Sequence, residues 1–283
     1  MSPRPHIEFI QSQCLPWRPT PPAFPGAQCK ILSRAKADGA CSLLLRFPPG
    51  WQREAVEHSR ADEEFYVLEG ALTIDGRRFA ADSYAFRPAG STRRRIKSSE
   101  GCVILAFYDR EPGWLPGSGD GAAERSFRAV PFLDAGGMPW DMTLNDPRLA
   151  HLGISRKNLR TDPRTGERTF LSLVLPQSAP QGGSGPQEIH PVVEEAYVIA
   201  GALCGPHGTM NPGAYFWRPP GIAHGPFGSR TGSLSLIRFV GGRHVNEWTE
   251  TAAPFDFATR YDPILPTDMA LLAKAWPTPP APW

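Results

Sequence analysis

Glu188, His190 and Glu194 are spaced two and four positions apart, and His224 follows 30 residues later. On a regular strand, side chains two or four apart leave the same face. The first three can therefore project to one side, with His224 reaching them from another strand. Two imidazoles and a carboxylate are the ligand types of an open metal site, one that keeps positions for water or substrate. Such a set suits a single divalent ion, Fe(II) first and Zn, Mn or Ni as alternatives, while the lack of a thiolate argues against Cu(I). The bland reading of a His beside a Glu is a hydrogen-bonded pair, so the metal reading depends on His224 joining them. Glu188 stays open between a fourth ligand, a catalytic base and a solvated carboxylate.

The elements that must position these residues come from an internal repeat. Glu63 to Leu72 (EEFYVLEGAL) reappears as Glu194 to Leu203 (EEAYVIAGAL), an offset of 131. Tyr84 to Gly90 matches Tyr215 to Gly221, and Val103 to Tyr108 falls opposite Leu234 to Phe239, both at the same offset of 131. One shift shared by three separated segments means one strand order and one set of loop lengths used twice. The segments are short, apolar or alternating, and closed by glycine or by turns such as Asp75-Gly76. Glycine and proline, 28 and 32 of 283 residues, suit an all-β protein with many turns. Only Thr267 to Ala275 reads as helical.

The spacing around the repeats resembles the cupin family, and the double copy resembles its bicupin members. In the second copy the first motif runs Gly182, five residues, Glu188-Ile189-His190, three residues, Glu194, six residues, Gly201. The second motif runs Gly213, five residues, Pro219-Pro220-Gly221, two residues, His224. The resemblance implies two tandem jelly-roll barrels, with a metal in the second held by His190, Glu194 and His224. Glu188 stands where the family places another histidine, and Gly228 where it places an asparagine that is not a ligand. In the first copy the motif positions are Val56, His58, Glu63 and Arg93, so that site is degenerate: guanidinium offers no lone pair. Arg93 could pair with Glu63 near His58, bind an anion, or lie on a solvated strand end. Glu64 and Glu195 should face away by alternation and make structural contacts. His207, in a Gly-Pro-His-Gly turn, could line the mouth or cap a loop, and His6, His151 and His244 match no motif.

The expected organisation is a proline-rich arm (1–29), a first cupin domain (30–110), a linker and connecting segment (111–159), a second cupin domain (160–250) and a tail with a short helix (251–283). A formal charge of +2 gives no footprint for nucleic acid, and no apolar run reaches the roughly 20 residues a membrane helix needs. Five cysteines without a CxxC pair indicate neither a disulfide framework nor a thiolate zinc site, so a reducing cytoplasm is expected. The family likeness implies a small-molecule substrate or ligand and a homodimer. It also implies a metal-dependent, dioxygenase-like oxidoreductase acting on a small oxygenated compound. The alternatives are a metal-dependent isomerase or hydrolase, and a non-catalytic sensor like the cupin domains of zinc-binding anti-sigma regulators.

Overall fold

The computed structural model describes residues 4–274 apart from 21–22, 121–124 and 144–145. It is all-β, with only short 3-10 turns of helix among the described residues, none long and apolar enough to cross a membrane. The chain divides into two compact units. One runs from Pro16 to Met138 and takes in Arg4; the other joins Pro5–Leu15 to the chain from Pro139 onward.

In the first unit Cys102–Tyr108 (CVILAFY) is buried at every position. An unbroken apolar run is what a strand paired on both edges and covered on both faces requires. It pairs antiparallel with Cys41–Phe47 and with Glu63–Ile74. In the second unit Ser233–Val240 takes the corresponding place between Arg168–Val174 and Val193–Gly201. The sequence repeat is reproduced in register: Leu105 faces Tyr66 as Leu236 faces Tyr197, and Glu64 faces Phe86 as Glu195 faces Trp217. Each copy even carries the same bulge, where pairing skips from Val67 to Glu69 and from Val198 to Ala200.

Just past that bulge Gly70 and Gly201 share a φ of +69°, and a Cβ there would sit 2.1 and 2.0 Å from the carbonyl oxygens of Gly101 and Gly232. The repeated glycine is therefore a steric requirement. Gly201→Ala is expected to cost about 2 kcal/mol or more of stability, because alanine resists positive φ and would force two backbones apart. Denaturant unfolding measures this, and an unchanged midpoint would refute it. Glu64 and Glu195 are buried, and each accepts a 2.6 Å hydrogen bond, from the hydroxyls of Tyr84 and Tyr215. Those are structural contacts, as alternation requires.

Three expected boundaries are corrected. The N-terminal stretch is not a separate arm but part of the second unit: Ile7–Gln11 is a strand paired with Ala214–Arg218, and Ile7, Phe9 and Ile10 are buried. Burying each such side chain contributes about 1.5–3 kcal/mol, enough to outweigh the roughly 1–2 kcal/mol of backbone ordering per residue. Residues 111–159 are not a plain linker either. Trp114–Pro116 pairs with Trp51–Ser59, Val130–Asp134 pairs with Ser83–Arg87, and Ser155–Thr161 forms an edge of the second unit's six-stranded sheet. In the tail, Glu247–Pro254 pairs with Ser184–Ile189. The helical segment is a 3-10 stretch, Thr267–Leu272, and Ala275 lies outside the described residues.

Candidate metal centre

Ser184–Ile189 and Val193–Gly201 are separate strands, and they belong to different sheets. Glu188, His190 and Glu194 thus do not sit on one regular strand, as their spacing alone suggested. His190 follows the end of the first strand, and a short turn at Pro191 and Val192 redirects the chain before Glu194. Nor does His224 come from a strand. It sits in a loop, tied to Glu188 by two backbone bonds of 2.9 and 3.0 Å.

The four side chains nevertheless converge. Ligand atoms of Glu188, His190 and His224 lie within 4.8 Å of one another. Oε2 of Glu194 lies 3.3 Å from Nε2 of His224 and 3.9 Å from Nε2 of His190. His190, Glu194 and His224 are buried, and Glu188 is half-buried.

Hydrogen bonds settle the tautomers. Nδ1 of His190 lies 2.9 Å from the carbonyl oxygen of Val245, and Nδ1 of His224 lies 2.9 Å from that of Ile222. A carbonyl only accepts, so each Nδ1 must carry a proton, and in the neutral ring Nε2 presents its lone pair to the cluster. Nε2 of His190 is buried with no hydrogen-bond partner. Burial, and then the charge of Arg218, push the pKa of His224 down to about 4, so the ring is neutral at neutral pH. A lone pair on Nε2 then faces a carboxylate oxygen at 3.3 Å. The same Oε2 accepts from Arg218 at 2.6 Å, so a cation bound between the histidines and Glu194 would share that oxygen with the guanidinium. Imidazole nitrogens and carboxylate oxygens are the donor types that hold a divalent metal.

The carboxylates are tuned in opposite directions. Burial pushes Glu194 upward, but the Arg218 guanidinium beside it outweighs this and brings its pKa down to about 2. Burial, reinforced by the charge of Glu194, raises Glu188 to about 8. One carboxylate is a permanent anion, and the other retains a proton at neutral pH.

Four further residues complete the centre. Arg218 is buried between two acids, donating to Glu194 at 2.6 Å and from Nε to Glu8 at 2.5 Å, with a second bond to Glu8 from its NH2 group. Glu8 comes from the N-terminal strand, 186 positions before Glu194. His244 stacks on Phe239 with ring centroids 3.7 Å apart and stands 5.1 Å from the ring of His190. Arg156, on Ser155–Thr161, borders the same cavity and sits over the Phe170 ring. His151 and His207 bond to the carbonyls of Phe227 and Asp262.

The cluster forms the polar end of a cavity inside the second unit. Its other walls are mostly apolar, among them Leu152, Ile154, Val174, Phe170, Phe216 and Ile237, with Ser172, Ser233 and Ser235 between them. Glu188 also borders an outer groove next to His151 and Trp248, so it stands where the cavity meets the exterior.

The first copy brings Glu63 and Arg93 together and leaves His58 out. Both partners of the Arg93–Glu63 pair are buried, Tyr108 donates to Glu63 at 2.9 Å, and the guanidinium lies 3.5 Å over the Trp114 ring. A bulge between Glu54 and Glu57 shifts the register and turns His58 to the half-exposed face, where it bonds to the carbonyl of Gly117 at 3.1 Å. Glu57 is buried instead, held by Arg53. An internal guanidinium thus occupies the place of a ligand. Arg93→Ala is expected to destabilise the protein by about 3 kcal/mol, because Glu63 would keep a buried charge, while leaving its metal content unchanged. Thermal unfolding and elemental analysis of the same sample check both halves.

The fold and site define the class: this is a cupin-fold protein. A proposed dioxygenase of Nostoc punctiforme superposes with a TM-score of 0.71 at 20% identity, covering 88% of this chain and 87% of that one. A variant of the Bacillus subtilis oxalate decarboxylase gives 0.52 at 13% identity, covering 88% and 80%. A Pseudomonas aeruginosa protein described as glyoxylate-induced gives 0.54 at 13% identity, covering 82% and 85%. No curated protein matches the chain. By its sequence profile over residues 11–246, the chain belongs to the family described as a domain of unknown function, DUF4437.

Proposed function

We propose that this protein is a bicupin whose second unit is a metal-dependent oxidoreductase of dioxygenase type, acting on a small oxygenated organic compound. One observation carries the reading: two Nε2 lone pairs and an ionised carboxylate oxygen meet at one buried point at the end of an apolar cavity. When bound, Fe(II) would supply an oxygen-binding redox centre and a Lewis acid; Mn, Ni and Zn fit the same ligands.

The chain's own residues do the rest. The carbonyls of Val245 and Ile222 hold the two rings in the ligating tautomer. Arg218 orients Glu194 by donating to the same Oε2 that faces the two histidines. Glu188, at the mouth and with its pKa raised, can give a proton to a substrate oxygen or take one from it. Apolar walls keep bulk water from the reacting atoms.

The raised pKa of Glu188 also favours a second reading, an isomerase that moves a proton without consuming oxygen. Oxygen uptake by Fe(II)-reconstituted protein, offered 1,3-diketones and catechols, separates them. Uptake stoichiometric with product supports the dioxygenase. Turnover without uptake supports the isomerase, and a metal-loaded protein that turns over neither class counts against both.

A further inference from the structure

Two serine hydroxyls lie where the cavity should be driest. Ser172 and Ser235 are cross-strand partners on Arg168–Val174 and Ser233–Val240, both buried and both on the cavity wall. Neither hydroxyl has a hydrogen-bond partner among the described residues. A hydroxyl that opens onto the cavity without a protein partner is available to bond a ligand group there.

Register places this pair relative to the metal cluster. Glu194 faces Phe239, Ala196 faces Ile237, and Val198 faces Ser235. The serines are thus four residues along the strand from Glu194, about 13 Å at about 3.4 Å per residue. A metal–ligand bond at one end and a hydrogen bond at the other leave roughly 8 Å for the ligand itself. Between them Ala196, the smallest side chain in that layer, lies on the same wall as Phe170 and Ile237, which leaves room for a flat body.

Charge sets the nature of the head. Around the cluster Glu8, Glu188 and Glu194 face Arg156 and Arg218. A divalent ion outweighs the remaining negative charge even with all three acids ionised. In a low-dielectric cavity that surplus favours an anion.

We propose that this cavity takes a small ligand polar at both ends: an oxyanion head at the metal and Arg156, a flat apolar body, and a hydrogen-bonding group at the far end read by Ser172 and Ser235. The head rests on the metal reading above; the serine end does not.

The test is calorimetric titration of the full-length protein, with its metal content measured, using 4-hydroxybenzoate, benzoate and benzyl alcohol as probes. Benzoate is expected to bind about tenfold tighter than benzyl alcohol, and 4-hydroxybenzoate about tenfold tighter again, each step being one buried polar interaction. The double variant Ser172→Ala with Ser235→Ala should erase the second step and keep the first. Arg156→Leu should shrink the first step. Equal binding of benzoate and 4-hydroxybenzoate by the unaltered protein, a preference that survives loss of both serines, or no binding to metal-loaded protein would each overturn the proposal. Protein that stays metal-free yet still prefers 4-hydroxybenzoate would sink the metal reading and keep the serine contact.

Discussion

His224→Ala is expected to lower affinity for the divalent metal on the order of 100-fold or more while leaving the protein folded. The ring supplies one of only two neutral nitrogen donors in the cluster, and its Nδ1 is already held by the Ile222 carbonyl. The backbone bridge to Glu188 does not use the side chain, so the loop keeps its anchor. His207→Ala is the control, because His207 bonds to the Asp262 carbonyl outside the cluster. Elemental analysis with circular dichroism on both variants reads the result. Full metal occupancy in folded His224→Ala would remove this residue from the centre.

Glu8→Gln is expected to weaken metal binding about 10- to 100-fold, although Glu8 is not placed among the ligands. Arg218 is now shared between Glu8 and Glu194, so the three together carry one net negative charge available to a cation. Without the charge of Glu8, the guanidinium belongs to Glu194 alone and that attraction is cancelled. A unit charge about 6 Å away, at an effective dielectric of about 20, is worth about 3 kcal/mol to each unit of the ion's charge, an upper limit that relaxation around the retained Arg218–Glu194 pair reduces to that range. Glu8→Asp should restore most of the affinity. A merely structural Glu8 would lower the unfolding midpoint and leave the affinity of the folded protein unchanged. Competition with a chromophoric chelator measures that affinity directly.

The architecture was legible because duplication leaves a register in the sequence: the same Glu-Glu, Tyr and Gly recur at the same offset and fall at the same sheet positions. His190, Glu194 and His224 were expected from the motif spacing the second copy shares with cupins, not from the repeat, whose counterparts of the two histidines are Ser59 and Arg93. What spacing could not convey was local irregularity. A single bulged residue moves His58 to the outer face, since side-chain direction alternates with every residue. The break at Pro191 and Val192 puts Glu188 and Glu194 on different strands while keeping them near one point. Glu8 was hidden among prolines that resemble a loose arm. Arg156 lay in Ser155–Thr161 (SRKNLRT), an edge strand too polar to read as one. The two cavity serines look like ordinary strand polarity until the register shows them facing each other.

Central to the whole account is a buried point shared by two imidazoles and a carboxylate. Crystals of the protein, reconstituted with Fe(II) without oxygen and measured at the iron absorption edge, test it most directly. The expected result is one anomalous peak within bonding distance of Nε2 of His190 and Nε2 of His224, with a carboxylate oxygen of Glu194 or Glu188 beside it. Iron bound elsewhere, or no peak in a crystal whose side chains hold this arrangement, would contradict it.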